Sequence, residues 1–126
     1  MRLIICAALV LLAACDRGVV GDITVFGDYS LRSVNGKSLP TTANGVEYVD
    51  DVISLAEALT YQESGHTRIT ATGASQPITE VGSYEFLFGT NLTLRKADGS
   101  RTRLAKVKDS NELTIVEEGV TFVYRK

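Results

Sequence analysis

The residues able to do chemistry in this 126-residue chain are few: two cysteines, one histidine and a scatter of carboxylates. His66 is the only imidazole, whereas zinc takes three or four converging ligands from Cys, His and carboxylate, so no metal is expected. A Ser-His-Asp arrangement would have to recruit the same His66, and the chain has no Gly-x-Ser-x-Gly elbow. His66 follows Gly65 in an expected turn and reads as a solvated side chain. Glu57, Glu80 and Glu85 could supply a carboxylate pair for acid–base work. Nothing in their spacing brings two together, and such residues mostly serve the surface. Asp50-Asp51 lacks the spaced acidic loop of an EF-hand and reads as a cap or loop. The glycines of "FGTN" and "ADGS" precede no helix that would cradle a phosphate, and Asn91-Leu92-Thr93 reads as a strand start rather than a glycosylation site. With no nucleophile, base or metal cluster converging, neither an enzyme nor a cofactor is expected.

Both cysteines lie in the first fifteen residues, and their setting accounts for them. Arg2 is followed by an uncharged apolar run, Leu3 to Leu12, too short for the ~20 residues of a membrane-spanning helix and of the length of a signal-peptide core. The run closes on Leu12-Ala13-Ala14-Cys15. This resembles the lipobox of bacterial lipoproteins. The resemblance implies cleavage before Cys15, lipidation of its thiol, and loss of Cys6 with the removed segment, so no disulfide is expected within the folded domain. Acyl chains contribute about 0.8 kcal/mol per buried methylene, so a multiply acylated terminus stays on the membrane. Asp16 resembles the inner-membrane retention signal of enterobacterial lipoproteins, although Arg17 is not its usual companion. The expected location is the periplasmic side of the cell envelope, with the inner membrane favoured over the outer.

The expected organisation is a signal peptide over 1–14, a lipidated N-terminus and tether over 15–22, and one domain over 23–126. Thirteen basic and fifteen acidic side chains leave a net charge of −2 and are interspersed, so no basic block is present to neutralise phosphates and nucleic-acid binding is not expected. Tryptophan, the commonest platform for stacking a sugar, is absent.

Short strands punctuated by turn residues must position whatever site exists. "ITVFGDYSLRSVNG" alternates, with Tyr29 and Leu31 on one face, and ends on Asn35-Gly36, a dipeptide suited to positive φ. "KSLPTTANG" reads as a loop, because Pro40 cannot donate to a sheet ladder. Later come "SYEFLFG", "NLTLRK", "RTRLAKV", "ELTIVEE" and "VTFVYRK", separated by turn residues that include Asp98-Gly99, a dipeptide suited to a primed hairpin turn. Leu92 with Leu94, Leu113 with Ile115, and Phe122 with Tyr124 keep the period of two of a sheet with one buried face. "DDVISLAEALTYQES" could form a helix capped by Asp50, with a stripe of Val52, Ile53, Ala56 and Leu59. The β character of its neighbours favours a strand paired across Gly65 with "HTRITATG". The whole reads as an all-β, antiparallel up-and-down barrel of about eight strands.

"GDYSLRSVNGKSLP" (27–40) resembles the opening of small bacterial lipocalin-like β-barrel domains, and "GVTFVYRK" and "VGSYEFLFGTNLTLRKADGS" resemble the closing strand and central hairpins of that group. The stretch 50–64 departs from its pattern, and META-type domains are a neighbouring possibility. The resemblance implies a barrel that brings no catalytic residues and leaves room for an apolar cavity, often with no established ligand. Tyr29, Leu31, Tyr84, Phe86, Phe88, Phe122 and Tyr124 are the candidates for lining such a cavity, or for simply filling the barrel. Arg32 and Arg125 lie beside these positions and read as solvent-facing. The function expected is a membrane-anchored binding module for a small apolar ligand or lipid. The alternative is an envelope protein–protein, assembly or inhibitor role, with the 37–44 loop carrying recognition.

Overall fold

The computed structural model describes Val19–Val20 and residues 23–126. The expected signal segment, Cys15 and the tether apart from Val19–Val20 lie outside the described residues. In chain order the strands are β1 (Val19–Val20), β2 (Ile23–Thr24), β3 (Gly27–Val34), β4 (Lys37–Ser38), β5 (Thr41–Ala43) and β6 (Val46–Leu55). They continue as β7 (Thr60–Ile69), β8 (Ser75–Phe88), β9 (Asn91–Lys96), β10 (Thr102–Lys108), β11 (Glu112–Glu117) and β12 (Val120–Arg125). β1 and β2 pair with each other. From β6 to β12 each strand pairs antiparallel with the next, and β3 lies between β12 and β6, closing an eight-stranded up-and-down barrel. Closure pairs every barrel strand with two neighbours over part of its length and so removes most of the sheet edge that could recruit another chain.

The alternation seen in the sequence builds the wall. Asn35-Gly36, Asn44-Gly45 and Glu118-Gly119 each have both residues at positive φ, the hairpin geometry whose twist matches that of the strands. Asp98-Gly99 also reverses the chain, but inside a longer loop in which Gly99, at φ 75°, adopts the left-handed conformation while Asp98 does not.

The segment 50–64 is β rather than helix, as favoured, but it is parts of two strands rather than one, and its turn is not at Gly65. The chain reverses at residues 56–59, with Leu59 at φ 64° and the Ala56 amide donating to the Thr60 carbonyl at 2.8 Å. Gly65 and His66 lie inside β7, opposite Asp51 and Asp50 of β6. His66 is solvated, as expected, but in a strand, with Nδ1 3.0 Å from Asp50 Oδ1. The expected loop over 37–44 holds the short β4 and β5, which pair with β3 and β6. Pro77 sits within β8, in the stretch that has β7 but not β9 beside it, where a missing N–H interrupts no second ladder.

Three bulges reset the alternation. Val49, Arg32 and Leu87 are each an extra residue in their ladders. The first two let Tyr48 with Asp51, and Leu31 with Val34, turn inward at an odd spacing. The third turns Phe88 outward.

Because consecutive strands run in opposite directions, the 56–59, 89–90 and 109–111 turns share one end of the barrel with the start of β3. Val25 lies there, fully buried, and Tyr29, Leu55, Tyr84, Leu92 and Val107 pack into the same core. We call this the closed end, and the opposite one the mouth.

Candidate functional site

The period of two points Tyr61, Glu63 and Gly65 of β7, Glu80 and Tyr84 of β8, and Arg103, Ala105 and Val107 of β10 into the barrel. Charged residues therefore occupy interior positions near the mouth. Glu63 and Glu80 are direct cross-strand partners, an arrangement that repels when both carry charge. Arg103 reaches them from β10, its Nη2 donating to Glu63 Oε2 and to Glu80 Oε2, both at 2.7 Å. All three are nearly inaccessible to solvent, with Arg103 4% exposed. Buried charges persist only when paired in this way.

The cluster extends from that core. Tyr61 donates its hydroxyl to Glu80 Oε2 at 2.7 Å, and its ring lies 5.9 Å from the Arg103 guanidinium carbon. Arg101 donates from Nη1 to Glu80 at 3.2 Å and grips Glu117 with Nε and Nη2. Burial alone would raise the Glu80 carboxyl, but the Tyr61 hydroxyl and the two guanidiniums outweigh it and hold it below the usual range. Burial would lower Arg103, but Glu63 and Glu80 outweigh it and keep the guanidinium charged.

Asp51 lacks such a partner. It is 4% exposed, and its Oδ2 accepts from the Tyr124 hydroxyl at 2.7 Å. Among the described residues its buried Oδ1 accepts from no donor, and Arg103 Nε meets no acceptor, while the protonated carboxyl shares a hydrogen bond with Glu63. Burial first, and then the adjacent Glu63 carboxylate, push the Asp51 carboxyl up to about 9, so at neutral pH it holds its proton. The Tyr124 hydroxyl is likewise raised, by burial and by Asp51. Gly65 makes room for this carboxyl: a Cβ there would lie 2.3 Å from the Asp50 carbonyl oxygen and 2.8 Å from Asp51 Oδ1.

Above the cluster lies a cavity of about 230 Å³. Asp51, Glu63, Arg101, Arg103, Glu117 and Tyr124 form its charged and polar lining, and Tyr48, Phe122, Val46 and Ile78 are among its apolar walls. Tyr48 and Phe122 meet edge to face, with ring centroids 5.2 Å apart. A larger concavity of about 560 Å³ on the outer wall is lined by short side chains such as Ser54, Ala56 and Thr60, with no charged group, and offers less to recognise a ligand.

The residues singled out from the sequence are distributed over both ends. Tyr29, Leu31 and Tyr84 are buried in the core, and Phe86 packs partly buried against it. Tyr29 and Tyr84 donate their hydroxyls to the Val25 and Ala56 carbonyls, each at 2.6 Å. Phe122 and Tyr124 line the mouth cavity. Phe88, beyond the Leu87 bulge, is 74% exposed on the outside. Arg32 and Arg125 face solvent, as read.

Sequence reasoning missed Asp51, Glu63, Glu80, Arg101, Arg103 and Glu117 as a group, and Glu80 is buried rather than a surface carboxylate. A usable signal was present: Arg103 is in phase with Ala105 and Val107, so a β10 that buries those two must bury the arginine as well. In comparisons with known proteins, no family model, no curated protein and no solved structure matches this chain.

Proposed function

We propose that this chain is a lipid-anchored, non-catalytic binding barrel of the bacterial cell envelope, taking a small ligand at its charged mouth. The observation that carries the reading is the 230 Å³ cavity, in which aromatic and aliphatic walls stand over buried charged groups. Pockets that combine apolar walls with a few convergent polar groups are the usual form of small-molecule sites. The interior below the cavity is filled by side chains. A small apolar ligand or lipid therefore fits best as an amphiphile, with its body against Tyr48 and Phe122 and its head over Asp51 and Arg103. A binding role without catalysis agrees with the engagement of Glu63, Glu80 and Glu117 by guanidiniums.

The lipobox-like Leu12-Ala13-Ala14-Cys15 supports the anchor. The chain joins the barrel at the closed end, where the Thr24 amide donates to Ser110 Oγ at 3.2 Å and the Thr24 carbonyl accepts from Lys126 Nζ at 3.3 Å. A tether over 15–22 spans at most roughly 3.3–3.6 Å per residue. Lipidation at Cys15 would thus hold the closed end, with the exposed Leu87 and Phe88, against the bilayer and turn the mouth towards the periplasm. Asp16 favours the inner membrane for that anchor.

Native mass spectrometry of the full lipoprotein, released from detergent after purification from bacterial envelopes, tests the reading. The expected result is a reproducible extra mass that disappears in organic solvent. A bare protein mass would overturn the ligand-carrying role and turn the search to envelope protein partners.

A further inference from the structure

The charges at the mouth do not balance. Four carboxyl groups converge there, on Asp51 of β6, Glu63 of β7, Glu80 of β8 and Glu117 of β11, against the two guanidiniums of Arg101 and Arg103. Glu63, Glu80 and Glu117 accept from those guanidiniums, and each guanidinium is already shared between two carboxylates. The carboxyl left over is Asp51, buried and lining the cavity, which among the described residues has no guanidinium of its own and whose Oδ1 accepts from no donor, its proton being shared with the Glu63 carboxylate. The tyrosine hydroxyls of Tyr61 and Tyr124 donate to this set and bring no positive charge. Around the same cavity stand the rings of Tyr48, Phe122 and Tyr124, and aromatic faces attract cations.

We infer that the mouth cavity is a site for a small organic cation, an alkyl- or arylammonium compound whose nitrogen lies over Asp51 with its body against Tyr48 and Phe122. The inference rests on the binding role proposed above and assigns its ligand a charge class. An anionic head would have to displace Glu63, Glu80 or Glu117 from an arginine, whereas an ammonium supplies the missing counter-charge and takes the place of the proton that Asp51 shares with Glu63. In doing so it favours the ionised form of Asp51. The carboxyl releases its proton to solvent as the ammonium ion binds, leaving a carboxylate–ammonium pair.

The test uses the full lipidated chain in neutral detergent, titrated with 2-phenylethylammonium and separately with 3-phenylpropionate. Calorimetry in two buffers of different ionisation enthalpy reports proton release. The ammonium compound is expected to bind at least about tenfold more tightly than the carboxylate and to release a proton, in the range that a desolvated charge pair can supply. Asp51→Asn keeps the side chain's shape and removes its capacity to ionise, so it should abolish the proton release and weaken ammonium binding roughly tenfold. If that variant fails to fold, Tyr48→Leu, which removes no member of the ion pairs, should weaken ammonium binding several-fold by removing a cation–π face. Preference for phenylpropionate overturns the cation assignment while leaving a ligand-binding mouth. Binding of neither probe also overturns it, and the co-purified mass then decides separately whether the broader binding role survives.

Discussion

At the closed end, Tyr29 and Tyr84 are buried among Val25, Leu55 and Leu92, and each hydroxyl donates to a backbone carbonyl. Tyr61, which pairs with Leu55, and Tyr124 are equally buried, but their hydroxyls reach into the charged cluster and donate to the carboxyls of Glu80 and Asp51. The same residue type on the same wall thus completes an apolar core at one end and a charged network at the other. The difference lies in tolerance. An apolar core loses stability in proportion to the contacts removed, whereas a buried charge network depends on every partner being present. The mouth is therefore the costly end to build.

The sharpest way to break the comparison is Arg103→Ala. It strands Glu63 and Glu80 face to face in the barrel, and the expected loss is about 3–5 kcal/mol, or failure to fold. Equilibrium urea unfolding measures it, and a loss under about 1 kcal/mol would place the pairing outside the stability argument. Leu92→Ala at the closed end should cost somewhat less, about 2–4 kcal/mol, from lost burial and the cavity left behind. Its urea midpoint should fall with the m-value unchanged. Gly65→Ala forces a methyl group against the Asp50 carbonyl and Asp51, with an expected cost of about 1–3 kcal/mol. A neutral outcome there would show that β6 and β7 can separate without cost.

Titration sharpens the contrast further. Asp51 keeps its proton in the folded chain up to about 9, while the unfolded chain loses it near 3.8. The folded state thus holds the extra proton between those values, and stability should decline as pH rises through that window. Glu80 acts in the opposite sense, its contribution being present above 4.5 and lost as pH falls below. Asp51→Asn should flatten the decline on the alkaline side and leave the acid limb in place, as read from melting temperatures across pH. The smallest effect is expected from Phe88→Ser. The ring is largely exposed, so stability should stay within about 0.5 kcal/mol. Loss of vesicle contact by that variant would support a membrane-facing closed end.

Much of the fold was legible because period-two alternation and turn chemistry are local. Tyr29 with Leu31, Leu92 with Leu94, and Asn35-Gly36 report their own structure without reference to distant residues. The 50–64 stretch was harder, because Ala, Glu and Leu suit a helix. Its turn at 56–59 uses Leu59 in a left-handed conformation that no glycine announces. The site was less legible still. Asp51 and Tyr48 face inward together only because Val49 bulges. Phe88 leaves the interior because Leu87 does. A single inserted residue reverses every side chain beyond it, and the sequence carries no mark of where that happens.

By itself, then, the sequence determined a short-stranded antiparallel barrel, its principal hairpin turns and the apolar stripe that fills its closed end. These depend on neighbours in the chain and on the burial of one face. Tertiary structure alone decided that Glu63, Glu80 and Arg103, separated by up to 40 positions, meet inside that barrel and that Asp51 is left over. Closure sets which strands face each other across the interior. A charge's partner, and hence its ionisation, is fixed by distance through space rather than along the chain.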